Sequence, residues 1–302
     1  MIGVLVMAYG AAQDLDDLPR YYTHIRHGRM PSPAQLEDLR TRYLAIGGDS
    51  PLYHITKSQA EALEQVLNSE APNTYRVYLG LKHAPPFIED GVRNMVEDGV
   101  DQAVGLVLAP HYSVMSVGGY LEEAKQAVQR YQASLPWQGI QSWHLEPSFI
   151  AAVSQRVATS LALFDNDNVM VIFSAHSLPQ RILATGDPYP KQLRDTGEAV
   201  AEYMALPHYT FSWQSAGRTD EPWMGPDILE KIENLQREGW NQQLVCPVGF
   251  VSDHLEILYD LDIQAQKHAN VLGVHLERTP SFNSDLTFIQ VLADVVRKAL
   301  NR

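Results

Sequence analysis

The sequence predicts an α/β protein built as two similar doubly wound lobes, each a four-stranded parallel sheet flanked by helices, with a cleft between them. Three observations carry this expectation. Short apolar or aromatic runs recur along the chain, amphipathic stretches of helical length separate them, and 302 residues with 45% hydrophobic content are enough for two core-bearing units. A parallel sheet covered by helices on both faces needs such continuous apolar runs rather than strict alternation.

The first strand is expected at 2 to 8, where Met1-Ile2-Gly3-Val4-Leu5-Val6-Met7-Ala8 carries no basic leader and runs on to Asp14, Asp16 and Asp17. Further strands are predicted at 75 to 81, 103 to 109 and 139 to 144, then at 168 to 174, 208 to 213, 243 to 249 and 270 to 276. Helices are predicted at 57 to 68, 87 to 98, 119 to 133, 148 to 163, 191 to 204, 226 to 238 and 285 to 300. In the last of these, Phe288, Ile289, Val291, Leu292, Val295, Val296 and Leu300 are the candidate core residues. The even split of strands puts a lobe boundary near Pro147, and no residue-level repeat or low-complexity linker marks it.

Composition excludes several function classes. With 23 basic against 36 acidic residues the formal charge is −13, so the average surface repels a nucleic-acid backbone. Cys246 is the only cysteine, which rules out an intramolecular disulfide and an all-cysteine iron–sulfur cluster, and fits a reducing compartment. No apolar stretch approaches the roughly 20 residues that span a bilayer, so a cytoplasmic protein without stable membrane association is expected. Neither a P-loop nor a G-x-G-x-x-G pattern occurs, which leaves a nucleotide cofactor without support.

Ligands of open α/β sheets bind beyond the carboxyl ends of strands, and that rule ranks the polar residues. Tyr9 closes the first strand, and His83, His111 and His176 each follow an apolar run. A single strand-end histidine more often just hydrogen-bonds loop backbone. His176 stands out because Ser177-Leu178-Pro179 follows it in a tight loop, and neutral imidazole suits Fe²⁺ and related metals. Asp253, Glu256 and Asp260 also lie past an apolar run, Leu244 to Val251, and would share one face if their segment is helical. Glu256 is suited to accepting a proton or binding a metal, and Asp260 to relaying protons outward. A plain solvated acidic face is the competing reading.

From Arg20 to Arg42 this acidic chain reverses sign, with Arg20, Arg26, Arg29, Arg40 and Arg42 against only Glu37 and Asp38. Tyr21, Tyr22 and Tyr43 interleave with them, offering aromatic surface for a flat ligand and guanidinium forks for carboxylates. Ordinary snorkelling arginines are the alternative. Trp213-Gln214-Ser215-Ala216-Gly217-Arg218 and Pro222-Trp223-Met224-Gly225-Pro226 add an aromatic loop. Together these features suit a planar, multiply anionic ligand with a metal ligand and proton acceptors on one side.

Val6-Met7-Ala8-Tyr9-Gly10, Tyr21-Tyr22-Thr23-His24-Ile25-Arg26, Gly80-Leu81-Lys82-His83 and Leu108-Ala109-Pro110-His111 resemble the ferrochelatase family in the first half. In the second half Ser174-Ala175-His176-Ser177-Leu178-Pro179, Gly186-Asp187-Pro188-Tyr189-Pro190 and Pro247-Val248-Gly249-Phe250-Val251-Ser252-Asp253-His254-Leu255-Glu256 continue it. Tyr9 makes the resemblance closest to the soluble coproporphyrin III ferrochelatase branch, where the matching tyrosine is an axial ligand of the product's iron.

The resemblance implies insertion of Fe²⁺ into coproporphyrin III, with release of two protons, in haem biosynthesis. It implies His176 and Glu256 as the catalytic and metal-site pair, and Tyr9, Arg26, Arg42, Tyr43, Ser50 and Tyr120 as residues that hold the tetrapyrrole. No cofactor is expected, since iron is a substrate. The expected division is 1 to 147, a Rossmann-like lobe with the tetrapyrrole-binding arm, and 148 to 302, a Rossmann-like lobe with the metal site, its terminal helix packing back on the first. A monomer is the default, with transient contact with other haem-pathway proteins. One departure concerns the acidic line after Glu256 and Asp260, which continues with Gln264 where relatives often carry a carboxylate. Competing readings are a protoporphyrin or cobalt chelatase and a non-catalytic haem or porphyrin carrier, which would bind without turnover; a secreted solute-binding protein fits less well for want of a signal sequence.

Overall fold

Two parallel sheets organise the molecule, in a computed structural model that describes residues 1–166, 168–217 and 219–300; Arg218, named above, lies outside them. The first sheet contains β1 (Ile2–Ala8), β2 (Tyr75–Leu81), β3 (Gln102–Val107) and β4 (Trp137–Ile140) in the order β2-β1-β3-β4. The second contains β5 (Met170–His176), β6 (Tyr209–Gln214), β7 (Gln242–Cys246) and β8 (His275–Arg278) in the order β6-β5-β7-β8. All pairings are parallel, and the two sheets share one order. The order reverses between β1 and β3 in one sheet and between β5 and β7 in the other, the switch points where such sheets open a crevice.

Strand position follows composition. Val4, Leu5, Val6 and Met7 of central β1 have no solvent exposure, as a strand covered on both faces requires. The edge strands β4 and β8 are only 4 residues long, which limits the unpaired edge. Helices α3 (Leu52–Glu70), α4 (Ile88–Glu97), α5 (Val117–Gln132), α6 (Pro147–Leu161), α8 (Tyr189–Met204), α9 (Ile228–Arg237) and α12 (Leu286–Leu300) cover the sheets. Helix α12 packs against α3, α6 and β3. Phe288, Ile289, Val291, Leu292, Val295 and Val296 are buried there, while Leu300 is only partly covered. One apolar cluster joins Val4 and Val6 of β1 to Phe173 of β5 and Leu244 of β7 through Leu63, Phe149, Phe288 and Leu292, so the lobes share a core.

Four segments differ from the sequence expectation: the strand expected at 139 to 144 is β4, Trp137–Ile140, and three others depart further. The basic stretch, where no helix is predicted, folds as α1 (Leu18–Ile25) and α2 (Pro33–Ala45). Helix α2 starts with a capping box: Gln35 N–H donates to Ser32 Oγ at 3.3 Å, Ser32 N–H donates to Gln35 Oε1 at 2.9 Å, and Pro33 fills the first turn. The apolar run expected as a strand at 270 to 276 begins instead in α11 (Gln266–Leu272), which stops at Gly273 with φ +70°, and the strand starts two residues later. The acidic segment is a short α10 (Leu255–Leu258) running into a π-helical turn, Asp260–Ala265, where Gln264 N–H donates to Tyr259 O at 2.9 Å. The remaining short helix, α7 (Arg181–Ala184), follows the loop after His176.

Candidate active site

Tyr9 leaves the carboxyl end of β1 at the first switch point. Gly10 follows with φ +86°, and a Cβ there would lie 3.0 Å from Ala84 Cβ, so only glycine lets this loop rest on the one after β2. Tyr21 Oη donates to Gly10 O at 3.1 Å, tying α1 to the turn. Tyr9 keeps 42% of its surface open. Its ring lies 4.5 Å from His83, whose Nδ1 is 2.9 Å from Nδ1 of His24 on α1. Burial lowers His83 to about 3, so it is neutral.

His176 ends β5 at the second switch point. Its Nδ1–H donates to Ser177 O, which leaves Nε2 facing away from the loop. Tyr189 Oη donates to His176 O at 3.0 Å, and Ser177 is fixed through Gln214 O at 2.7 Å and Met224 O at 2.7 Å. Glu256 approaches from the loop after β7. That loop passes so close to β5 that a Cβ on Gly249 would fall 2.5 Å from Ala175 Cβ, and Gly249 N–H donates to Ser174 O at 3.1 Å. The result places Glu256 Oε1 3.4 Å from His176 Nε2 and Glu256 Oε2 3.5 Å from His254 Nε2. His254 donates through Nδ1 to Ser252 O at 2.9 Å.

The charges follow from this geometry. Burial alone would lower His176, but the Glu256 carboxylate outweighs it and raises the imidazole to about 9. Burial would raise Glu256, and His176 with His254 hold it well below the usual carboxylate range. Asp260, one turn on, is buried and receives a hydrogen bond from Ser215 Oγ. Burial and the Glu256 charge raise it to about 6, against the hydrogen bond from Ser215 and the charge of Arg42. The surroundings of Tyr9, partly enclosing the ring, and the Glu256 charge push its phenol upward. Burial, with the Glu256 charge, raises the phenols of Tyr43, Tyr120 and Tyr189 as well.

The other sequence candidates are arranged around this centre. Arg42, in the last turn of α2, pairs with Asp38 at 3.3 Å and lies 5.8 Å from the ring of Tyr259 on the opposite lobe. Arg26 caps α1 with its guanidinium 5.7 Å from the Tyr22 ring. The Nε atoms of both arginines and the hydroxyl of buried Ser50 are enclosed without a hydrogen-bond partner, which leaves polar capacity unused. Tyr43 is packed with Leu18, Tyr21 and Leu39, and Tyr120 lies under the Lys82 ammonium at 4.5 Å. Asp253 stands apart: it precedes α10 and is engaged by Arg278 at 3.3 Å and Asn283 at 2.9 Å, so it does not share the Glu256 face. Gln264 lies at the exposed end of the acidic line.

Neither His254 nor Tyr189 is marked as a site residue by the sequence, although both lie in the family-like segments 247 to 256 and 186 to 190. His254 differs from an ordinary loop histidine only in facing Glu256, which needs the fold of the β7 loop to appear. Among the described residues no three histidine, cysteine or carboxylate groups are placed together to hold a metal. The His176 and Glu256 pair would therefore leave most positions of a cation open to another ligand.

The two matching doubly wound lobes thus carry an imidazole–carboxylate pair at one switch point and a tyrosine at the other. The solved structure of SirB from Bacillus subtilis with Fe3+ is similar in fold, with a TM-score of 0.63 and 12% identity, covering 99% of this chain and 95% of that one. CbiX, described as the terminal enzyme for biosynthesis of siroheme in denitrifying bacteria, is similar at a TM-score of 0.58 and 11% identity, covering 99% and 98%. The chain belongs to the ferrochelatase family, whose sequence model, described as Ferrochelatase, matches residues 1–300. It is 47% identical to a coproporphyrin III ferrochelatase of Anoxybacillus flavithermus, over 100% of this chain and 97% of the relative. It is 45% identical to a ferrochelatase of Herpetosiphon aurantiacus, over 97% of each.

Proposed function

We propose that this chain inserts Fe²⁺ into coproporphyrin III, releasing two protons, as a step of haem biosynthesis in the cytoplasm. Family membership and the full-length relatives named for this reaction support the substrates. The observation that carries the chemistry is the 3.4 Å approach of His176 Nε2 to Glu256 Oε1 at the mouth of the second sheet. Arg26, Arg42 and the free hydroxyl of Ser50 offer the cations and donor that carboxylate side arms need, with Tyr43 and Tyr120 as further candidates to hold the ring. Tyr9, on the opposite side, is the candidate ligand of the iron once it is in the ring.

In this reading the porphyrin lies between the lobes with Tyr9 on one face and the His176 and Glu256 pair on the other. The resting pair holds one proton. An arriving cation makes that proton costly to keep, so it passes out by way of Asp260, whose pKa of about 6 suits proton exchange near neutrality. The two pyrrole N–H protons leave as the Fe–N bonds form, one each to His176 and to the Glu256–Asp260 line. The iron stays divalent, so no resident cofactor enters the reaction. The protein works as a monomer with transient contacts to the enzymes that supply and consume the tetrapyrrole. Insertion kinetics of His176→Ala and Glu256→Gln test the assignment: a loss of about 100-fold or more in kcat/KM is expected of removing a positioned acid–base or metal group, and near-normal insertion by both variants would refute it.

A further inference from the structure

The stretch that carries Glu256 and Asp260 is held at both ends by one side chain outside the site. Arg278 ends β8, the edge strand beyond β7. Its Nε and Nη2 donate to the two oxygens of Asp262, at 2.5 and 2.8 Å, the paired geometry in which guanidinium holds a carboxylate most firmly. Its Nη2 also reaches Asp253 Oδ1 at 3.3 Å, and Nη1 donates to Thr279 O at 3.1 Å. Asn283 Nδ2 donates to the second oxygen of Asp253 at 2.9 Å, while Asn283 Oδ1 accepts from Asp253 N–H at 2.8 Å. Asp253 precedes Glu256 and Asp262 follows Asp260, so the guanidinium closes a bracket around both carboxylates.

That bracket has a physical reason to exist. Helix α10 is a single turn and the π-helical turn after it is a poorly favoured conformation, so neither rigidly fixes the direction of a side chain by itself. The side chain of Arg278 is only 17% exposed, which strengthens its charge-assisted bonds relative to surface pairs. We propose that Arg278 is a positioning residue for metal entry, holding the Glu256–Asp260 segment in register with His176 through Asp253 and Asp262. The inference rests on the reading that Glu256 meets the incoming metal. Arg278 touches neither substrate, so its influence runs through the carboxylates it anchors.

The test compares Arg278→Met, Arg278→Lys and Asp262→Asn with the parent protein, with Glu256→Gln in parallel. Steady-state KM is measured separately for Fe²⁺ and for coproporphyrin III, Zn²⁺ binding to the porphyrin-free protein by calorimetry, and folding by thermal unfolding. Loss of an outer partner of a metal-site group typically weakens metal affinity about 10- to 100-fold, so Arg278→Met raises KM for Fe²⁺ by about tenfold and weakens Zn²⁺ binding in parallel, with KM for the porphyrin within about twofold. Arg278→Lys recovers part of the loss, and Asp262→Asn reproduces most of it in a folded protein. Unchanged Fe²⁺ KM and Zn²⁺ binding in folded Arg278→Met and Asp262→Asn would overturn the inference, as would equal rises in both KM values tracking a loss of folded protein. If Glu256→Gln also leaves Fe²⁺ KM unchanged, the reading of Glu256 falls and this inference with it; if Glu256→Gln raises it while the Arg278 variants do not, only the inference falls.

Discussion

His176 ends a strand whose other residues are buried, and its environment sets a pH dependence that can be measured. With its pKa raised to about 9, it is protonated at neutral pH, and a cation can use Nε2 only after that proton leaves. Raising pH removes the proton, so KM for the metal should fall by up to about tenfold per pH unit between about pH 6.5 and 8, and Glu256→Gln should flatten the slope. Initial rates with varied Fe²⁺ at fixed porphyrin give the slope, and a KM independent of pH would contradict the pair. Ser50 offers a complementary check. Its buried hydroxyl has no partner, so Ser50→Ala should leave the thermal midpoint of the empty protein unchanged or higher. If a porphyrin carboxylate supplies the partner, coproporphyrin binding weakens by about 5- to 10-fold, the value of one hydrogen bond of about 1 to 1.5 kcal/mol. Fluorescence titration reads this without turnover. At this scale His176 and Glu256 were legible because each follows an apolar run. Asp253 shares their spacing but not their site, since its partner Arg278 lies 25 residues away in sequence and meets it only once β8 is placed.

Elements bring these residues together through close approaches that a side chain would prevent. Gly249→Ala would put a Cβ 2.5 Å from Ala175 Cβ and 2.8 Å from Ala175 Cα, both on the strand that ends in His176. The loop must shift, at a cost of about 1–3 kcal/mol for overpacking, and it carries Glu256 with it. Activity should therefore drop more than stability alone explains, which insertion assays on protein still folded at the assay temperature would reveal; a variant with normal kcat/KM would show that the approach does not set the site. Although the edge strands β4 and β8 sit off the runs at 139 to 144 and 270 to 276, the other strands were readable, because parallel strands under helices need unbroken apolar runs, and β1 and β2 fall where those runs lie. Helices α1 and α2 were not, because charged and aromatic residues dominate them and only the Ser32-Pro33-Ala34-Gln35 capping signal announces α2. The π-helical turn is invisible to a reading based on a 3.6-residue period.

At the scale of the molecule, the two lobes repeat a topology but not an independent core. Leu292 of α12 is fully buried in a cluster that includes β1 of one lobe and β5 and β7 of the other. Leu292→Ala should cost about 2–5 kcal/mol, and both lobes should unfold in one transition, with intrinsic fluorescence and circular dichroism coincident in a denaturant titration. Two separated transitions would contradict the shared core. The duplicated fold was legible as an even split of strands, while the joint core was not, since it depends on which faces of α3, α6 and α12 meet. The most direct measurement is anaerobic Fe²⁺ insertion by the purified protein, followed as loss of free-porphyrin fluorescence, with coproporphyrin III and protoporphyrin IX compared side by side. Turnover with a higher kcat/KM for coproporphyrin III is expected; tight porphyrin binding without insertion of iron would refute the chelatase reading and make the protein a carrier.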